Sequence, residues 1–504
     1  MVSVHTFRWD WLIGLPAKTL LVPDTVRHMS IVAKAGAVLG VVLVAAGALS
    51  LGHAGRGLRS TSVRVAGVPV EVVRPSGAGD RLPVVVVVHG YAGSGRLMRP
   101  FADTLARRGY VVALPDLAGH AGNVRPLAGN DELDRELATV VGYVRGLPDV
   151  DPAKVVLLGH SMGAAAVVRA GAADQKIAAT VAISLGDSTA AALRPGPRHL
   201  LLLVGALEPD AMQDVARKAL TGDGRRMVAV PFVEHVGVLY ADRTHREAAH
   251  WLDAALRHQP QQPVIAAKWR VAGAGLILLG MLLLIIAVLI RRPPVMSWPA
   301  LPLGERAWWT IGAVLVAPVA GLVGGVLGVR TLPSEDSGYL VGYFASAGAT
   351  LAIAAAVLRS RAGQRVSWPR PTWEPVALAA AGTAAVVVPI ELGLTSVVPH
   401  GLHWPLIALL AGASALLLGG AHAVVGLPYS AGVLAVVCLP VPVAALVGLA
   451  PGFLGLVAPL IAGLVVLHLV LAGVAWRRGM PWWQTVAAGA LMLGWPVAAV
   501  LPIT

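Results

Sequence analysis

Lys154-Val-Val-Leu-Leu-Gly-His-Ser-Met-Gly163 is the stretch whose reading decides the fold. A continuous apolar run enters Gly159-His160-Ser161-Met162-Gly163, and the small residues Ala164 to Ala172 follow. A parallel strand covered on both faces reads as such an unbroken run. The two glycines, each two positions from Ser161, permit a turn too tight for Cβ atoms. The predicted order is therefore strand, sharp turn and helix, with the Ser161 hydroxyl at the apex and a helix N-terminus beneath it. The pentapeptide carries weight only because that context surrounds it.

Working outward, the segment 52–267 alternates strands and helices. Val63 to Val73 reads as a hairpin turning at Gly67. Val84 to Val88 is a five-valine buried strand, and further strands are expected at 110–114, 155–158, 180–184, 200–204 and 227–232. Helices are expected over 97–108, 131–147, 210–220 and 243–257, the second opening with acids that suit its dipole. Such alternation predicts an α/β domain, a mostly parallel sheet with helices on both faces, and a site beyond the carboxyl ends of the strands.

At the motif level this domain resembles the α/β-hydrolase family, closest to compact serine esterases and dienelactone-hydrolase-like members. The matching pieces are His89-Gly90, Pro115-Asp116-Leu-Ala-Gly-His120, Gly159 to Gly163, Gly205-Ala-Leu-Glu208 and Glu234-His235, in that order. The resemblance implies Ser161 as nucleophile, His235 as general base and acid, and Glu208 as the acid of the triad. Asp210 is the alternative acid and Asp187 a weaker one. It implies an oxyanion hole from the N–H groups of Tyr91 and Met162. His89, His160 and Asp116 are expected to support rather than to react, and His245 and His250 to lie in the last helix. The short connection between Ser184 and His199 leaves no room for a helical lid, so an open site is expected.

The remainder of the 504 residues is of another kind. The whole chain is 56% hydrophobic and only 13% charged, against about 25% charged in soluble domains. Ile31 to Leu51 is long enough to cross a bilayer despite Lys34. It reads as an uncleaved signal anchor after a cytoplasmic segment 1–30, although the small residues Ala46 to Ser50 also suit a cleaved signal peptide. After Ala267, region 268–504 carries eight further apolar runs: 271–290, 308–329, 339–358, 375–398, 405–425, 431–449, 453–475 and 483–501. An all-α bundle with about nine spans in total is expected. Arg291, Arg292, Arg306, Arg359, Arg361, Arg365, Arg370, Arg477 and Arg478 fall on alternate connections, which places those connections in the cytoplasm and the hydrolase-like domain outside it.

The net charge of +13 thus comes from basic residues at span ends and carries no nucleic-acid signature. No metal-ligand spacing and no phosphate-binding loop is present, so neither metal nor cofactor is expected. Cys438 is the single cysteine, which excludes an internal disulfide. The expected partners are the bilayer and an acyl-ester or lipid substrate; the sequence is silent on oligomeric state. The functional expectation is a membrane-anchored serine hydrolase of acyl esters, of a lipid or an envelope-associated compound. Its rival is a transporter or envelope-assembly protein whose hydrolase-like domain binds without cleaving. Within the spans, Glu391, His422 and His468 are the ionisable residues to account for.

Overall fold

The computed structural model describes residues 22–77, 79, 81–290, 305–361 and 373–504. Helix α1 (Val22–Gly55) leads into the sheet strands β1 (Leu58–Val65), β2 (Val68–Pro75) and β3 (Leu82–Val88). Then follow α2 (Arg99–Arg107), β4 (Val111–Pro115), α3 (Asn130–Arg145), β5 (Val150–His160) and α4 (Met162–Ala173). The domain closes with β6 (Ala179–Ile183), a short α5 (Ser188–Ala191), β7 (Leu200–Gly205), α6 (Asp210–Lys218), β8 (Arg225–Val230) and α7 (Asp242–Leu256).

The eight strands form one sheet in the order β1-β2-β4-β3-β5-β6-β7-β8. β2 runs antiparallel to both β1 and β4, and every other pairing is parallel. The five-valine run explains the two covered faces. Val85 and Val87 join Phe101, Leu105 and Leu252 beneath α2 and α7, whereas Val84, Val86 and Val88 join Leu133, Leu137 and Val167 beneath α3 and α4. Because side chains alternate along a strand, a run that is apolar throughout needs a helix layer on each side. The expected α/β architecture is thus present, with element boundaries within a few residues of the predicted ones.

Beyond the domain lie α8 (Trp269–Leu289), α9 (Glu305–Val329), α10 (Glu335–Arg361), α11 (Glu374–Gly393) and α12 (His403–Val425). They are followed by α13 (Ser430–Cys438), α14 (Pro440–Leu446), α15 (Phe453–Arg477) and α16 (Trp482–Val500). Among the described residues eight helices are long and apolar enough to cross a membrane, including the Ile31–Gly55 part of α1. The expected number was about nine, and the ninth apolar run forms a shorter, broken helix. The run 431–449 is interrupted at Leu439, because Pro440 and Pro442 lack N–H donors and collide with the preceding turn. The pair α13–α14 nevertheless returns the chain to the side of the α/β domain, since Phe453 at the start of α15 packs against Tyr91. The expected cytoplasmic segment 1–30 and the basic residues Arg291, Arg292, Arg365 and Arg370 lie wholly or mostly outside the described residues.

Glycine brings the helices together. A Cβ built on Gly328 would lie 2.0 Å from the Gly338 carbonyl oxygen, and one on Gly342 would lie 2.0 Å from that of Gly324. Gly47 meets Gly273, and Gly40 meets Gly280, in the same way between α1 and α8. Where lipid tails are as apolar as leucine, close backbone approach replaces the hydrophobic effect as the reason to associate.

The domain is fastened to the helices beside α2. Arg107 donates to the carbonyls of His53, Ala54 and Arg56 at the end of α1 (3.2, 2.9 and 3.0 Å) and lies 5.0 Å over the Trp269 ring. Arg270 of α8 pairs with buried Asp103. The Gly342→Leu variant is expected to wedge α9 from α10 and cost about 3 kcal/mol or more. Gly312→Ala, at a position with open space around it, is expected to leave the melting temperature of the detergent-solubilised protein unchanged.

Candidate active site

β5 ends in the predicted elbow. Ser161 has φ 53° and ψ −114°, a backbone conformation rarely adopted by a residue with a side chain. Its N–H donates to the Ile183 carbonyl at 2.9 Å, tying the turn to the neighbouring strand. The flanking glycines are dictated by contact. A Cβ on Gly159 would stand 2.2 Å from the Gly163 oxygen, and one on Gly163 would stand 2.5 Å from the carbonyl oxygens of Val88 and His89. The strained turn therefore exists because the first turn of α4 lies against the end of β3.

The structure brings Ser161, His235 and Glu208 together. His235, after β8, places Nε2 3.0 Å from Ser161 Oγ. Its Nδ1 faces Glu208 Oε2 at 3.5 Å, and neither atom has a hydrogen-bond partner among the described residues. A closure of a few tenths of an ångström would complete that bond. The other carboxylate oxygen is already held: Glu208 Oε1 accepts from Ser184 Oγ at 2.5 Å and from the Gly205 N–H at 2.9 Å. Burial alone would raise the Glu208 pKa. The nearby His235 ring and the hydrogen bonds from Ser184 and Gly205 outweigh it, so the carboxyl titrates below its ordinary value.

Asp210 is not part of this arrangement. It is exposed at the first position of α6, so the alternative acid is excluded by placement. Asp187 accepts from the N–H groups of Thr189 and Ala190 as the N-cap of α5 and pairs with Arg169. Asp116 is structural as expected, accepting from Gly95 N–H at 2.8 Å and Gly122 N–H at 3.2 Å. His160 donates from Nε2 to the His235 carbonyl at 2.9 Å, and so steadies the residue that the elbow faces. His245 is buried in α7, stacked on Phe101 and bonded to Leu239 and Thr104, and His250 is exposed.

Two features escape the sequence. Ser184 grips Glu208 from the end of β6, and its only linear hint is its place where a strand meets the carboxyl edge. The loop 91–96 beside the site also abuts the helical region at Asp336, Glu391, Thr395 and Phe453. The intervening sequence is too long for any local pattern to reveal that contact.

Of the ionisable residues in the apolar helices, none joins Ser161. Glu391 pairs with Arg96 at 3.2 Å and accepts from the Val397 N–H at 2.7 Å. His422 and His468 face each other, Nε2 to Nε2, at 3.2 Å. No group of three or more metal-ligating side chains exists among the described residues.

Burial holds three histidines of the domain neutral, lowering the pKa from 6.5 to about 3 for His120 and His160 and to about 4 for His245. Below pH 6.5 an unfolded chain takes up these protons first, so stability falls as pH falls. Each ring contributes a loss on the order of 1 kcal/mol per pH unit until its folded pKa is reached. The melting temperature of the purified protein is therefore expected to drop clearly between pH 7.5 and pH 5, and a His245→Gln variant that still folds is expected to show a shallower drop.

Comparison with known proteins agrees with this architecture. Residues 83–259 match a family model described as the alpha/beta hydrolase fold. The quorum-quenching protein AidA of Acinetobacter baumannii is 25% identical over 160 residues, 31% of this chain and 50% of that one. Epoxide hydrolase A of Mycobacterium tuberculosis is 34% identical over 121 residues, 24% of this chain and 36% of that one. The chain thus spans half or less of the length of these curated relatives. Among solved structures, the dienelactone hydrolase of Anabaena variabilis is 21% identical, with 40% of this chain and all of that one covered and a TM-score of 0.35. An esterase/lipase from an uncultured bacterium is 17% identical, with 40% and 85% covered and a TM-score of 0.32. With the family match falling on the sheet that carries Ser161, residues 83–259 are an alpha/beta hydrolase domain, joined to a helical region with several apolar helices of membrane-crossing length.

Proposed function

We propose that this protein is a membrane-anchored serine hydrolase that cleaves, or transfers, the acyl group of an ester at the extracytoplasmic membrane surface. The observation that carries the reading is the alignment of Ser161 Oγ, the His235 ring and the Glu208 carboxylate, with ring nitrogens 3.0 and 3.5 Å from the two oxygens. His235 Nε2 takes the proton as Ser161 Oγ attacks the ester carbonyl, and the charged Glu208 stabilises the imidazolium that forms. The proton then passes to the leaving alcohol, and a water molecule activated by the same imidazole releases the acid. Negative charge on the carbonyl oxygen meets the N–H groups of Tyr91 and Met162. Met162 is the first residue of α4, so its N–H has no partner within the helix. No metal or cofactor enters these steps.

Two arrangements support the location and the substrate class. Asp336, Glu391, Phe453 and Ile503 all meet the hydrolase domain, while Arg359, Arg361, Arg477 and Arg478 lie at the opposite ends of α10 and α15. Basic ends tend to lie on the cytoplasmic side, which supports an extracytoplasmic domain. A domain held against such a bundle works within reach of the bilayer, which favours a lipid or an envelope-associated ester over a freely soluble one.

A fluorophosphonate probe on the full-length protein is expected to label it, and Ser161→Ala is expected to abolish labelling. Folded protein that takes no label would favour a binding role within a transporter or envelope-assembly protein. Glu208→Gln is expected to lower kcat on p-nitrophenyl esters by about 100-fold or more, whereas Asp210→Asn is expected to stay within about twofold. A turnover that rises with acyl chain length would assign the substrate class.

A further inference from the structure

The loop that offers the Tyr91 N–H is held from outside its own domain. The Tyr91 hydroxyl donates to Asp336 Oδ2 at 2.7 Å, in the first turn of α10. Its ring meets Phe453 of α15 nearly edge-on at 4.9 Å. Three residues on, Ser94 Oγ lies 2.9 Å from Thr395 Oγ1 and accepts from the Ser396 N–H at 3.1 Å. Arg96 then pairs with Glu391.

Inside the loop, the Gly90 carbonyl accepts from the Gly93 N–H at 3.0 Å and from His89 Nδ1 at 2.8 Å. The His89 proton must sit on Nδ1, because Nε2 accepts from the Leu117 N–H at 3.0 Å. A trans peptide unit is planar, with its C=O and N–H pointing opposite ways. Holding the Gly90 oxygen therefore aims the Tyr91 N–H, and the remaining freedom is movement at Tyr91 itself. That movement is opposed at the far end of the side chain by Asp336. The carboxylate is 1% exposed, and its other oxygen has no hydrogen-bond partner among the described residues. Burying a carboxylate on one hydroxyl is a costly way to join two surfaces, and apolar residues would join them at least as well. What Asp336 adds is direction, and it adds it at the residue whose N–H meets the reacting oxygen.

We propose that Asp336 is a positioning residue for the reaction at Ser161, setting the oxyanion loop through Tyr91, so that hydrolytic competence depends on the helical region. This inference rests on the serine-hydrolase reading above.

The test uses full-length protein in detergent and a short, soluble p-nitrophenyl ester. Asp336→Ala and Tyr91→Phe are each expected to lower kcat about 10-fold with KM within about twofold, a fraction of the loss seen when an oxyanion donor is removed. Asp336→Asn, which keeps an acceptor for the hydroxyl, is expected to retain kcat within about threefold. The double variant Tyr91→Phe/Asp336→Ala is expected to be no slower than the slower single, because both remove one interaction. Unchanged kcat in Asp336→Ala or in Tyr91→Phe, with Ser161-dependent fluorophosphonate labelling intact, would overturn the positioning role and leave the hydrolase reading standing. Losses that multiply in the double variant would also overturn it. Wild-type protein without Ser161-dependent labelling would instead remove the reading beneath it. If Asp336→Ala does not fold, Tyr91→Phe alone decides the matter by the same criterion.

Discussion

Everything at the candidate site depends on how closely two pieces of backbone approach. The first turn of α4 lies against the last residues of β3, with Gly163 facing the carbonyls of Val88 and His89 and Gly159 facing the Gly163 oxygen at distances that admit no Cβ. That contact forces Ser161 into its left-handed conformation and lifts its hydroxyl above the sheet edge. It also sets the elbow beside the loop that begins at Gly90, where an added Cβ would stand 3.0 Å from Ser161 Cβ. Ser161 and the loop that begins at Gly90 are thus placed by one packing constraint.

Around the elbow, the side chains repeat one pattern: each group of the candidate site is gripped by a neighbour. His160 holds the His235 carbonyl, Ser184 holds Glu208, and His89 holds the Gly90 carbonyl. Second partners of this kind cost little when they are already part of the strand ends, and they convert flexible side chains into oriented ones. The carboxylate benefits twice. Its hydrogen bonds keep it charged in a buried place, and they turn its free oxygen toward the imidazole.

The helical region follows a different rule, because hydrophobicity does not drive association where the surroundings are apolar. Its helices meet backbone to backbone at paired glycines, and several of its sparse polar groups, Asp336, Glu391 and Thr395 among them, meet the hydrolase domain. There they meet two separate parts of that domain, the flank of α2 and the loop after β3. The chain's own end adds a third contact, with Ile503 exchanging backbone bonds with Gly119 and Leu127. Two regions with unlike folding logic are therefore coupled by hydrogen bonds and ion pairs at a defined set of points.

By itself the sequence determined what depends on local pattern. The apolar run before Gly159 meant a buried strand and the elbow glycines meant a sharp turn, while the resemblance of Gly205 to Glu208 and of Glu234-His235 to a known family pointed to candidate partners of Ser161. The long apolar runs marked the helices for the same reason, since length and hydropathy are properties of one segment. Only the tertiary structure decided which carboxylate faces the imidazole, because Glu208 and Asp210 are two positions apart and differ only in direction. Only it revealed the break at Leu439–Pro440 as a bend that still returns the chain, the grip of Ser184, and the reach of Asp336 to Tyr91 across 245 positions. These are contacts between elements distant in the chain, and nothing in a linear pattern encodes the distance between two side chains until both backbones have been packed.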